Sequence, residues 1–355
     1  MDTRSHIRER MRHRVRFFAL AALARMAAMA AGIAATVVPA AGQTLTATMV
    51  RGELVLDLGP IDLPAVGHDG MDGMPSMREA MRRAMPEAPP LWALVPASGW
   101  LHGYRVELTD RFGRAVPQSV LHHVNVIATQ RRELFSGIML RVAAAGPETG
   151  EVSLPSLIGY KAHAGDTLLV RAMLHAGDRA YSGVHIRVRF PFTPSSGWMR
   201  DFTISPFYMD VTPPAGGHAF DIPPGHSEWF WEARPAVSGR ILGFSGHVHR
   251  YAALFRFEDR TAGKVIWETR PDTDSSGEPR QIPVKRFLST LGLGIRADHI
   301  YRLTVVYDNP GKAPVIGGGM GALGGVFMPE FGVPWPAIDR ADKDYRLDVW
   351  AMWRR

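Results

Sequence analysis

Apolar and polar residues alternate with a period of two along most of this chain, the pattern of half-buried strands. It is clearest at 184–190, where Val184, Ile186, Val188 and Phe190 share one face and His185, Arg187 and Arg189 the other. Residues 104–108, 120–129, 138–142 and 167–174 are shorter β-type runs bounded by glycine, proline or aspartate. A second set covers 240–244, 254–258, 264–267, 301–307 and 345–352, and residues 44–58 open the series as a strand or hairpin. The turn-rich stretch 191–198 marks a junction between the two sets. Strands at this spacing predict an all-β protein with two antiparallel, jelly-roll-like β-sandwich domains in tandem, at 91–195 and 196–355. A length of 355 residues accommodates both.

Two segments depart from the pattern. Residues 43–90 continue the first strand into a methionine-rich linker containing His68, Asp69, Met71, Met74, Met77, Met81 and Met85. Met77, Met81 and Met85 recur every four residues, as on an amphipathic helix packed against a core. The same thioethers would also suit a strip that captures Cu(I). Residues 1–42 read as an export signal: a basic stretch from Arg8 to Arg16, a mostly apolar run from Phe17 to Val38 broken by Arg25, and small residues before Gln43. Cleavage there predicts a periplasmic or secreted protein; an uncleaved leader would instead anchor it to a membrane through its N-terminus.

Charge changes the picture once the leader is set aside. Seven of the 41 basic and two of the 34 acidic residues lie in 1–42, so the net charge of +7 falls to +2 for the remainder. A near-neutral body argues against a nucleic-acid partner. Cysteine is absent, which excludes disulfides, cysteine-type zinc sites, iron–sulfur clusters and thiol catalysis.

Histidine is the remaining candidate chemistry. In His247-Val248-His249 the two imidazoles project from one face of a strand and can reach one metal at about 2.0 Å. Gly243 and Gly246 beside them predict a bulge or a close backbone approach. His122 and His123 are adjacent, and adjacent strand residues face opposite ways, so they share an ion only at a bulge or a strand end. His218 and His226 flank a Pro-Pro-Gly turn, and His102, His163 and His299 lack metal-type spacing. Trp229, Phe230 and Trp231 read as core or interface.

Four segments taken together resemble the copper type II, ascorbate-dependent monooxygenases, the family of peptidylglycine α-hydroxylating and dopamine β-monooxygenases, and most closely its bacterial relatives. They are Leu-His-His-Val-Asn (121–125), Leu-Val-Arg-Ala-Met-Leu-His (169–175), Gly-His-Val-His-Arg-Tyr (246–251) and Ile-Gly-Gly-Gly-Met-Gly (316–321), in the family's order and separated by about 50 to 70 residues. The resemblance covers roughly residues 90 to 330. It implies one copper held by His122, His123 and His175, and a second by His247, His249 and Met320, the latter being the catalytic, dioxygen-facing ion. His185 competes with His175, but lies on the arginine-bearing face of its strand. Met328 is the alternative to Met320, which follows His249 by 71 residues. The acidic pair and cysteine that flank the methionine in the animal enzymes are missing here.

The resemblance thus implies an exported dicopper monooxygenase, an oxidoreductase. It would hydroxylate a C–H bond of a small-molecule or peptide substrate with dioxygen, recharged by ascorbate or another small reductant. The alternative is a periplasmic copper protein without turnover, which stores, senses or delivers the metal. A third reading has the sandwiches serving adhesion or assembly.

Overall fold

The computed structural model describes residues 42–65, 85–147, 149–175, 177–195, 202–212, 219–275, 277, 279–287 and 291–353. Residues 1–41 of the expected export signal at 1–42, Met71 to Met81, His68 and His218 lie outside them.

The first eleven strands are β1 (Thr44–Val50), β2 (Glu53–Leu63), β3 (Leu91–Leu94), β4 (Gly99–Leu101), β5 (Gly103–Thr109), β6 (Leu121–Arg132), β7 (Met139–Ala145), β8 (Val152–Ser153), β9 (Ile158–Ala162), β10 (Thr167–Leu174) and β11 (Tyr181–Pro194). There follow β12 (Phe202–Asp210), β13 (Phe220–Ile222), β14 (Gly225–Ala233), β15 (Gly239–Val248), β16 (Ala252–Asp259), β17 (Lys264–Thr269), β18 (Asp272–Thr273), β19 (Pro279–Gln281), β20 (Lys285–Arg286), β21 (Leu293–Ile295), β22 (Tyr301–Asn309), β23 (Val315–Gly319) and β24 (Gly321–Pro329). A helix, α1 (Lys343–Trp353), closes the chain.

The protein is an all-β sandwich built on antiparallel pairing. A twelve-stranded sheet, in the order β1-β2-β11-β4-β9-β12-β24-β15-β20 with β5, β8 and β21 attached to its side, carries two cores. The sheet β3-β10-β6-β7 covers one end, where Leu54, Leu56, Val126, Val170, Val188 and Phe190 are buried together. The sheet β14-β22-β16-β17 covers the other, around Phe207, Phe244, Phe255, Phe257, Leu303 and Val305. Burying one face of each sheet is what the period-two alternation encodes.

Residues 44–63 form a hairpin, as expected for 44–58 and extended to Leu63, and its second strand pairs with β11 and joins the first core. Two elements differ from the sequence expectation. The turn-rich stretch from Pro191 is strand as far as Pro194, because Phe192 pairs with Leu101 and is buried. Residues 345–352 are helix, not strand. Tyr345, Val349 and Met352 follow i, i+4, i+7 spacing and pack on Ile127, Met139 and Leu169 of the outer sheet face. Asp342 caps the helix by accepting the Asp344 N–H at 2.7 Å. Asp348 reaches buried Arg141 at 2.8 Å and fixes the helix to β7.

A polar junction lies between the cores. The fully buried Glu133 accepts N–H bonds from Arg141 at 2.6 Å and Tyr208 at 3.0 Å, tying β7 to β12. Burial pushes its pKa up to about 7, against the pull of Arg141 and of those N–H groups.

Candidate metal centres

His247 and His249 lie at the end of β15. The intervening Val248 is buried in the second core, so strand alternation turns both imidazoles to the opposite face. Their Nε2 atoms stand 3.1 Å apart. That is the spacing of a hydrogen bond between the rings, and it is also close to the roughly 3.3 Å between two nitrogens that bind one ion at about 2.0 Å with a near-tetrahedral angle. His249 Nδ1 lies 3.2 Å from the Gly318 carbonyl, which can only accept; the proton therefore sits on Nδ1 and the Nε2 lone pair faces His247.

Met320 belongs to the same edge. The ladder closes with His247 opposite Ala322 and Val248 opposite Gly321; His249 and Met320 are the next residue on each side, just beyond the last pair. Met328 pairs instead near Arg240 and packs on the first core, away from the histidines. Backbone contacts hold Met320 in place. The Tyr307 hydroxyl accepts the N–H of Met320 at 3.0 Å and of His249 at 3.2 Å, and donates to the Met320 carbonyl. Burial pushes the Tyr307 phenol up to about 12, so it stays a donor at physiological pH. The expected irregularities beside the pair are present: the β15–β24 register shifts between Ile241 and Gly243, and a Cβ on Gly246 would stand 2.3 Å from Phe255.

His122 and His123 come together by a different route. Leu121 and Val124 both enter the first core, yet two residues separate them where alternation allows one. The register explains this: Met173 faces His123 and Leu174 faces Leu121, leaving His122 as the extra residue of a bulge. Both imidazoles are thereby left on the outer face, with ring centroids 5.2 Å apart. His175 is exposed, one residue beyond β10, and its N–H bonds the Val120 carbonyl at 2.7 Å. Among the described residues no group of three histidine, aspartate or glutamate side chains is set to hold a metal. The His175 bond to Val120 ties its backbone to the residue two before His122, and its role as third ligand rests on the resemblance alone. Met173, which faces His123 across the ladder, was not singled out in the sequence.

Other histidines among the described residues have partners of their own. His185 binds Asp57 at 2.7 Å on the charged face of β11. His102 is buried, with Nδ1 on the Ile158 carbonyl and Nε2 on the Thr193 hydroxyl. His299 binds Asp259 and His226 binds Asp308; the latter histidine is on a strand rather than in a turn. Trp229 and Trp231 pack on the second core, while Phe230 is exposed beneath Arg302.

An open cleft of about 600 Å³ begins one residue after His249, lined by Arg250, Tyr251, Thr273, Asp274 and Asp308 among others. Among the described residues, no helix is long and apolar enough to cross a membrane.

No protein-family model matches the chain, and no curated protein matches it. Solved structures give distant likenesses. A protein of Parabacteroides distasonis thought to be secreted is 9% identical, over 80% of this chain and 96% of its own, with a TM-score of 0.19. A structure of infectious bursal disease virus, Gx strain, is 12% identical over 84% and 76%, with a TM-score of 0.20. Allantoicase of Saccharomyces cerevisiae is 11% identical over 66% and 76%, with a TM-score of 0.15. At these scores no activity is carried across.

Proposed function

We propose that this protein is an exported copper monooxygenase, with the His247, His249 and Met320 set as its oxygen-facing centre. One observation carries the reading: the two Nε2 atoms at 3.1 Å, with the His249 tautomer fixed by the Gly318 carbonyl. Two imidazoles with a thioether opposite fit copper, because imidazole serves both oxidation states and sulfur favours Cu(I). Copper held there would supply dioxygen activation, with electrons from a small reductant such as ascorbate. The chain's own part is to bring both Nε2 atoms to one strand face, keep His249 in a single tautomer and hold the Met320 backbone close to that of His249; an ion would take the place of the proton that His247 Nε2 shares with His249.

A second reading, copper binding without turnover, is favoured by the glycine-rich surroundings of Met320, which lack the acidic pair and cysteine that flank the methionine in the animal enzymes of the resembled family. Metal analysis of the purified protein followed by oxygen uptake with ascorbate separates the two. Two coppers with reductant-dependent uptake support the enzyme; copper without uptake supports the second reading; no copper after loading removes both.

A further inference from the structure

We infer that Tyr307 is a positioning residue that sets the distance between His249 and Met320, and so decides whether the thioether completes the second copper centre. This rests on the copper reading above. Tyr307 lies on β22, in the sheet facing β15 and β24, and its side chain crosses the sandwich to their shared edge. Its hydroxyl meets three backbone groups: it accepts the His249 and Met320 N–H groups and donates to the Met320 carbonyl. These bonds hold both the N–H and the C=O of Met320, and tie them to the backbone of His249. Without them Met320 would be placed only by the ladders that end on either side of it, β13–β23 at Gly319 and β15–β24 at Gly321.

The ring that carries this hydroxyl is itself fixed. Tyr307 is fully buried and meets Phe220 edge-on, with centroids 5.7 Å apart. Phe220 stacks on Trp229 at 4.3 Å. It also crowds Gly319, where a Cβ would stand 2.1 Å from Phe220 Cε2, so a glycine run is required beside the methionine. The phenol is thus a rigid spacer, and a phenylalanine there would keep the packing while leaving three backbone groups unpaired.

The test compares Tyr307→Phe with Tyr301→Phe. Tyr301 is on the same strand, buried in the same core, with its hydroxyl accepting the Arg296 N–H at 3.0 Å, and serves as the matched loss of a buried phenol. Both are made in a His122→Ala/His123→Ala background, so that only the second centre reports. Cu(I) affinity is measured by competition with a chromogenic chelator, and Cu–S scattering by X-ray absorption of the Cu(I)-loaded protein. Tyr307→Phe is expected to bind Cu(I) about 10- to 100-fold more weakly and to lose the Cu–S signal; Tyr301→Phe is expected to do neither. Unchanged Cu–S scattering and affinity in Tyr307→Phe, or equal losses in both variants, would overturn the inference while leaving the copper reading intact. A background protein that takes up no copper overturns that reading and this one with it. Should Tyr307→Phe not fold, amide exchange of the metal-free parent decides: slow exchange at the His249 and Met320 N–H groups supports the junction, and exchange at the rate of open turns overturns it.

Discussion

The two histidine pairs reach the same arrangement, two imidazoles on one face, from opposite starting points. His247 and His249 need nothing beyond the period of a regular strand, because Val248 between them is drawn into the second core. His122 and His123 need that period broken, and the bulge against Met173 and Leu174 breaks it. The ring centroids end up almost equally close, 5.0 Å in the strand-end pair and 5.2 Å in the bulged pair. What differs is how each pair is held. The strand-end pair lies beside β24, with the Tyr307 hydroxyl on the His249 N–H and the Gly318 carbonyl against the His249 ring. The bulged pair is held by the β6–β10 ladder across its register shift.

The largest effect should come from removing each pair in turn. His247→Ala/His249→Ala should abolish Cu(I) binding through sulfur and remove one copper equivalent, leaving the His122/His123 equivalent in place; His122→Ala/His123→Ala should do the converse without altering the sulfur signal. Metal analysis with X-ray absorption reads both, and a loss of both equivalents in either variant would mean that the pairs are not independent. Next comes Asp348→Ala, which leaves Arg141 buried without its carboxylate partner. Breaking such a pair costs about 3–5 kcal/mol. Because α1 packs on the same outer face that carries His122 and His123, denaturant unfolding should show that loss together with weaker copper at the bulged pair only. Gly246→Ala acts on the other pair. Its Cβ would meet Phe255 at 2.3 Å, which should cost about 1–3 kcal/mol and displace β15 beside His247. A thermal midpoint unchanged from the parent would show that Phe255 gives way freely.

Much of this was legible in the sequence, for reasons that differ by element. Alternation at 184–190 identified β11, since a strand with one charged face declares its register. The same logic found the face shared by His247 and His249. A bulge at His122 could be named only as a condition, because register depends on the partner strand, which local sequence does not contain. α1 was misread because Tyr, Val and Trp favour strands while the helical spacing of Tyr345, Val349 and Met352 is equally present. β24 was hidden by its glycines, which are required where Phe207 and the Gly243 carbonyl crowd Gly325. Tyr307 had no local signal at all: its role comes from a residue 58 positions earlier and another 13 later meeting across the sandwich.

The smallest expected effect bears on both regions at once, since Glu133 joins β7, in the sheet of the bulged pair, to β12, in the sheet of the strand-end pair. Burial raises its carboxyl from the ordinary value of 4.5 to about 7. A raised pKa means that the folded chain holds this proton where the unfolded chain has released it. Stability from this group is therefore present in full below the unfolded pKa and is lost as pH rises through the folded one, over a window from about 4.5 to about 7. Glu133→Gln removes the titration but places an amide N–H₂ against one of the two backbone donors, Arg141 or Tyr208. The variant should be less stable than the parent at pH 5, by about 1–3 kcal/mol for one unsatisfied buried donor. The gap should narrow by pH 8, as the parent loses the contribution that the variant never had. All other groups are the same in both proteins, so the difference between their urea midpoints isolates Glu133. A gap that stays constant from pH 5 to pH 8 would show that Arg141 and the N–H bonds keep Glu133 ionised throughout, and that the junction between the two regions is a fixed ion pair rather than a proton-holding one.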